Sequence, residues 1–167
     1  MKNLINISSL VLVISFISLF SCNSNDESGK SNPTNYDEIT KSDIEVIADS
    51  MSSNDIEATN SNGHVLDVGD VIVYKTRNNH FGKMEILAID DATNYKLTIK
   101  AVTYNLNDSG IFSQSSSLEI RGTWLGDLEL MSETSVSSDA DFQWSRETAT
   151  DTSLSSYNGS AFSVYNF

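Results

Sequence analysis

The sequence predicts a mostly β protein: an antiparallel sandwich or small barrel, preceded by a flexible acidic tether that has room for one short helix. Three observations predict it. From Val65 onward, apolar residues recur with period two in runs rich in β-branched and aromatic side chains. Polar turn clusters separate those runs at short, regular intervals. Residues 23–60 read differently from the rest: they are acidic, rich in Ser and Asn, lack Trp and Phe, and hold the only proline, Pro33.

The chain begins with Lys2 and an apolar run through Leu10, Val11, Leu12, Val13, Ile14, Phe16, Ile17, Leu19 and Phe20, then Ser21-Cys22. A charged start, a short apolar core and a small residue before the cut describe a secretory signal over residues 1–21. The run falls short of the roughly 20 apolar residues of a membrane span. An uncleaved anchor helix is the competing reading, and the strongly polar sequence from Cys22 opposes it. Leu19-Phe20-Ser21-Cys22 resembles the bacterial lipobox, which implies diacylglyceryl attachment at Cys22 and cleavage just before it. Cys22 is the only cysteine, so no internal disulfide forms, and an exported lone cysteine calls for a modification or an intermolecular bond. Several acyl chains anchor stably where a single chain would not.

Residues 22–60 are expected to form the lipidated, acidic tether. Asp26, Glu27, Asp37, Glu38, Asp43, Glu45, Asp49, Asp55 and Glu57 outnumber Lys30 and Lys41 there. One short helix is foreseen at 43–52. Ser42 and Glu45 fit a capping box, and Ile44, Ile47, Ala48 and Met51 recur at helical spacing. A short strand through Ile44 and Val46 competes with it.

The β domain is expected over 61–167. Val71–Thr76 forms one strand, Arg77–His80 a turn, and Phe81–Ile89 a second strand in which Gly82 marks a bulge or a close backbone approach. Asp90–Asn94 is the next turn and Tyr95–Tyr104 a third strand, completing a meander. After a turn at Asn105–Gly110, short strands are expected at Leu118–Arg121, Trp124–Met131, Asp141–Trp144 and Ala161–Tyr165.

Two stretches carry a resemblance. Val73–Thr76, Phe81–Ile86 and Leu97–Tyr104 resemble a segment of uncharacterised Bacteroidota lipoproteins. Gly122–Glu129, Asp139–Trp144 and Asn158–Ala161 are similar to a small secreted or surface β module. The resemblance implies a lipoprotein with a small all-β domain and assigns no activity. Asn25-Asp26-Glu27 also looks like the signal that sends lipoproteins of that phylum to the outer face of the outer membrane. A polar tether facing the periplasm is the alternative.

Net charge −13 excludes nucleic-acid binding through phosphate neutralisation. It also disfavours anionic headgroups, so membrane contact is expected through the lipid at Cys22. No cofactor is expected. His64 and His80 read as exposed turn histidines, and with no cysteine beyond Cys22 they lack a zinc set. No Gly-x-Ser-x-Gly elbow is present. Asp90/Asp91, Asp127/Glu129 and Asp139/Asp141 are the paired carboxylates; Asp139-x-Asp141 is the best calcium candidate, against the reading of solvated turn acids. Trp124 and Trp144 are candidate ligand-facing aromatics that could stack on sugar rings, against the reading of core packing. Asp49-Ser50-Met51 resembles a short O-glycosylation acceptor at Ser50.

The expected function is a non-enzymatic binding or adhesion module with a glycan or protein partner. It would be lipid-anchored to the outer membrane, on the periplasmic or the cell-surface side. An envelope structural or stress-associated lipoprotein is the alternative, and an enzyme acting on polysaccharide is the third reading.

Overall fold

A computed structural model describes residues 32–53, 56–59, 66–148 and 151–167. The expected signal over 1–21, Cys22 and His64 lie outside the described residues. Among the described residues, ten strands build two antiparallel sheets: β1 (Ile56–Thr59), β2 (Val71–Lys75), β3 (Phe81–Asp90), β4 (Lys96–Tyr104), β5 (Ile111–Ile120), β6 (Trp124–Asp127), β7 (Ser132–Thr134), β8 (Phe142–Thr148), β9 (Asp151–Ser156) and β10 (Ala161–Tyr165). The first sheet runs β10-β2-β3-β4-β5 and the second β1-β9-β8-β6-β7. The mostly β antiparallel class expected from the alternation is the class observed.

The core between the sheets follows from that alternation. Ile72 and Tyr74 of β2, Met84 and Ile86 of β3, and Leu97, Ile99 and Ala101 of β4 point one way and are buried. They meet Phe142 and Trp144 of β8 and Leu154 of β9 from the other sheet. Gly82 sits in an unbroken register opposite Tyr74, so it is a close approach and not a bulge. A Cβ there would fall 2.3 Å from the Tyr74 ring. The irregularity in β3 lies between Ile86 and Ala88.

The tether expected over 22–60 does not extend through the described part of that range. Tyr36, Ile39 and Ile44 are buried on the outer face of the first sheet against Val71, Val73 and Tyr104. They ride on a 3-10 turn at Tyr36–Glu38, helix α1 (Lys41–Val46) and a 3-10 turn at Ala48–Ser50. This strap adds a third layer. The acids that suggested disorder are put to local use. Asp37 pairs with Lys100 at 2.7 Å, and Asp43 caps α1 by accepting from the Thr40 backbone N–H at 2.8 Å. The cap is therefore Thr40 with Asp43, two residues before the expected Ser42 with Glu45, and α-helix gives way to 3-10 after Val46. From below, the Lys83 ammonium donates to the carbonyls of Tyr36 at 2.6 Å and Ile39 at 2.7 Å. Lys41 likewise reaches the carbonyl of Leu106 at 2.8 Å.

Other boundaries moved for visible reasons. β5 begins at Ile111, not Leu118, and carries two extra residues relative to β4, near Phe112 and between Ser115 and Leu118. The strand expected over Trp124–Met131 stops at Asp127, whose carboxylate accepts from the Glu129 and Leu130 N–H groups and closes a turn. β1 and β9 were not foreseen; they pair from Ile56 opposite Leu154 to Thr59 opposite Asp151.

Candidate functional site

Several loops converge at one end of the sandwich: the β2–β3 turn, the β4–β5 turn, the β6–β7 turn and the start of β8. Arg77, in the first of these, is the hub. Its Nη1 lies 2.9 Å from Asp141 and 3.4 Å from Asp127, and its Nη2 lies 3.4 Å from Glu129. All three carboxylates are buried. Each also accepts from neutral donors. Asp141 takes the backbone N–H groups of Arg77 at 2.9 Å and Leu128 at 2.8 Å. Glu129 takes the Thr76 hydroxyl and the Asn78 amide, both at 2.7 Å. Asp127 takes the two turn N–H groups of its own loop.

These environments separate the acids. Burial raises the Asp141 pKa above the ordinary carboxylate range, and hydrogen bonds from Arg77 and Leu128 only partly oppose it. Burial also acts upward on Glu129, but the hydrogen bonds from Thr76 and Asn78 together with the Arg77 charge outweigh it, and the net shift is downward. Arg77 loses charge stabilisation by burial and regains more from Asp141, Asp127 and Glu129, so it stays protonated. One cation thus ties the first sheet to two loops of the second.

The sequence singled out Asp127 with Glu129 and Asp139 with Asp141 as pairs; the structure regroups them. Asp127, Glu129 and Asp141 join around Arg77, whereas Asp139 ends the 3-10 turn at Ser137–Asp139 and is exposed. Asp139 and Asp141 therefore do not present two free carboxylates to a calcium ion, because the oxygens of Asp141 face Arg77 and Leu128. Among the described residues, no group of three or more His, Cys, Asp or Glu side chains is arranged to hold a metal. His80 is buried, not exposed: its Nδ1 lies 2.8 Å from the Tyr104 carbonyl and its ring 4.3 Å from Phe112. Arg77 carried no signal of its own in the sequence, since its partners are 50 to 64 positions away.

Neither tryptophan forms an open platform. Trp144 is fully buried and donates from Nε1 to the Tyr95 carbonyl at 2.7 Å. Trp124 pairs with it across the strands, is half-buried against the core, and has the Arg121 guanidinium over its ring at 3.7 Å. Ser50 lies in a 3-10 turn with its hydroxyl donating to the Ile47 carbonyl at 2.6 Å. Ser160 is buried and donates to the Asp141 carbonyl.

An opening lies elsewhere, along β4 and β5. A shallow groove of about 360 Å³ is lined by Lys100, Ala101, Val102, Gln114, Ser115 and Ser116. It offers an amide, two hydroxyls and an apolar floor, with the Lys100 ammonium held beside it by Asp37. No protein-family model, curated protein or solved structure matches the chain.

Proposed function

We propose that this chain is an envelope lipoprotein, anchored through Cys22 to the outer membrane on its periplasmic or outer side. Its β domain binds a carbohydrate without acting on it. The groove over β4 and β5 carries this reading: its volume lies in the range of small-ligand sites, and Gln114, Ser115 and Ser116 supply neutral donors and acceptors suited to sugar hydroxyls. The non-catalytic part rests on the Arg77 cluster, where every carboxylate is engaged by an arginine and by neutral donors, an arrangement suited to a structural tie. The anchor rests on the order of residues in 1–22.

The test is titration of the folded protein with short oligosaccharides, followed by amide chemical shifts. Binding is expected to move signals of β4 and β5. Gln114→Ala is expected to weaken it about tenfold, the loss of one good hydrogen bond. The proposal fails if no oligosaccharide saturates those signals, or if Gln114→Ala leaves affinity unchanged.

A further inference from the structure

The two ends of the sandwich differ in chemistry. At the end where Arg77 sits, the hairpin tips are tied together: His80 Nδ1 to the Tyr104 carbonyl at 2.8 Å, Thr76 to Glu129 at 2.7 Å, and the Ser113 hydroxyl to the Leu128 carbonyl at 3.1 Å. On these tips stand Leu106, Ile111, Phe112 and Leu130, exposed by 50, 52, 49 and 75%. Phe112 is braced by the His80 ring. The acids Asp127, Glu129 and Asp141 are drawn inward around Arg77, so this end shows little of the charge of a −13 chain. Asp108, in the β4–β5 turn, remains exposed with its carboxylate capped by the Asn105 amide and the Gly110 N–H; Asp139 is exposed at the rim. The opposite end, with the loops at 66–70 and 91–95, carries Asp67, Asp70 and Asp91 beside Asp90, the last residue of β3.

We propose that the hairpin-tip end is a membrane-facing foot: Leu106, Ile111, Phe112 and Leu130 enter the interfacial layer of the bilayer that holds the Cys22 acyl chains. This rests on the anchored reading above. Asn32 follows Cys22 by ten residues, and a chain covers at most about 3.6 Å per residue. An anchor at Cys22 therefore confines the domain to within about 36 Å of the bilayer. At that range even weak apolar insertion is favoured by effective concentration. Four apolar side chains at an end where Asp127, Glu129 and Asp141 are paired with Arg77, leaving Asp108 as the exposed acid of the β4–β5 turn, suit the interface better than the opposite end, where Asp67, Asp70, Asp90 and Asp91 would be repelled by anionic headgroups. The groove over β4 and β5 lies on a side face and stays open to water in this pose.

The experiment uses the full lipidated protein in vesicles of phosphatidylethanolamine with a minor share of phosphatidylglycerol. Acylation of Cys22 leaves a cysteine introduced by Leu130→Cys, Leu106→Cys or Ala92→Cys as the one free thiol for an environment-sensitive fluorophore. Labels at 130 and 106 are expected to shift to the blue, brighten severalfold and be quenched by spin-labelled lipid, while the label at 92, in the opposite loop, stays water-like. Intact mass reads the acylation separately. An acylated chain whose labels at 130 and 106 match that at 92 overturns the foot and leaves the anchor standing. A blue shift without lipid quenching assigns the patch to contacts between copies and also overturns it. A mature chain without acyl groups overturns the anchor and the foot together.

Discussion

Replacing Arg77 by Met keeps an apolar stem and removes the guanidinium that faces Asp127, Glu129 and Asp141. The guanidinium sits 2.9 Å from one carboxylate and 3.4 Å from the other two, and the acids are 1, 9 and 0% exposed for Asp127, Glu129 and Asp141. Breaking a buried pair in this way costs about 3–5 kcal/mol. The variant can limit that by taking up a proton. At pH 7, protonating a carboxylate of ordinary pKa near 4 costs about 4 kcal/mol, at roughly 1.4 kcal/mol per unit, which sets the same scale. The pH dependence follows in sign. Without Arg77 the folded-state pKa values lie above their unfolded values. The deficit is smallest at and below the unfolded values, near pH 4, grows as pH rises from there toward the folded values, and levels off above them. Urea unfolding followed by tryptophan emission should show a loss of about 4 kcal/mol at pH 7, shrinking to about 1 kcal/mol near pH 4. A domain of this size holds about 5–15 kcal/mol in all, so the variant at pH 7 is near its limit. Arg77→Lys should lose about 1–3 kcal/mol, because one ammonium cannot reproduce the contacts of two guanidinium nitrogens, Nη1 with Asp127 and Asp141 and Nη2 with Asp127 and Glu129. A loss under about 1 kcal/mol at pH 7, or an equal loss at pH 7 and pH 4, would refute the hub.

Three further outcomes follow from local geometry. Gly82→Ala and Gly126→Ala place a Cβ 2.3 Å from the Tyr74 ring and 2.2 Å from the Phe142 ring, both fully buried, so each should lower stability by about 1–3 kcal/mol; an unchanged urea midpoint would contradict this. Lys83→Met strips the Tyr36 and Ile39 carbonyls of a donor at about 1–3 kcal/mol each, so hydrogen exchange should accelerate over 36–47 and not over 97–101; equal acceleration in both would mean that the strap and the sandwich open as one. The lowered pKa of Glu129 contributes stability above the ordinary glutamate range that is lost as pH falls through the folded value; the melting-temperature gap between wild type and Glu129→Gln should therefore close on acidification below about pH 4, and a constant gap would remove Glu129 from the account.

The meander through β2, β3 and β4 was legible because its strands are written in Val, Ile, Tyr and Leu: β4 alternates buried and half-buried positions, and β2 is an apolar run buried on both faces. β5 was half lost because Ser113–Ser117 has polar side chains on both faces, and two added residues, at Phe112 and between Ser115 and Leu118, break the period. The strap was hidden for a different reason. Its apolar residues Tyr36, Ile39 and Ile44 are diluted by acids, and composition cannot show that Lys83 and Lys100 wait on the sheet below. Trp144 and Trp124 could be named as the key aromatics, but the burial of the first and the half-burial of the second are set by strand register. The Arg77 cluster was legible only in its acids. The loops that bring positions 77, 127, 129 and 141 together are a property of the topology, and no window of sequence spans them.

The two extra residues of β5 have a colloidal consequence. A sheet that ends in a long regular strand presents a ladder of unmet N–H and C=O groups on which a neighbour can crystallise. Here the ladder is interrupted near Phe112 and again after Ser115, where the Ser115 hydroxyl itself takes the Ser117 N–H at 3.2 Å. What faces outward is a frayed hem of serines with no straight run long enough to template a second copy. The residues that looked least like structure in the sequence are the ones that break the outer ladder of this edge.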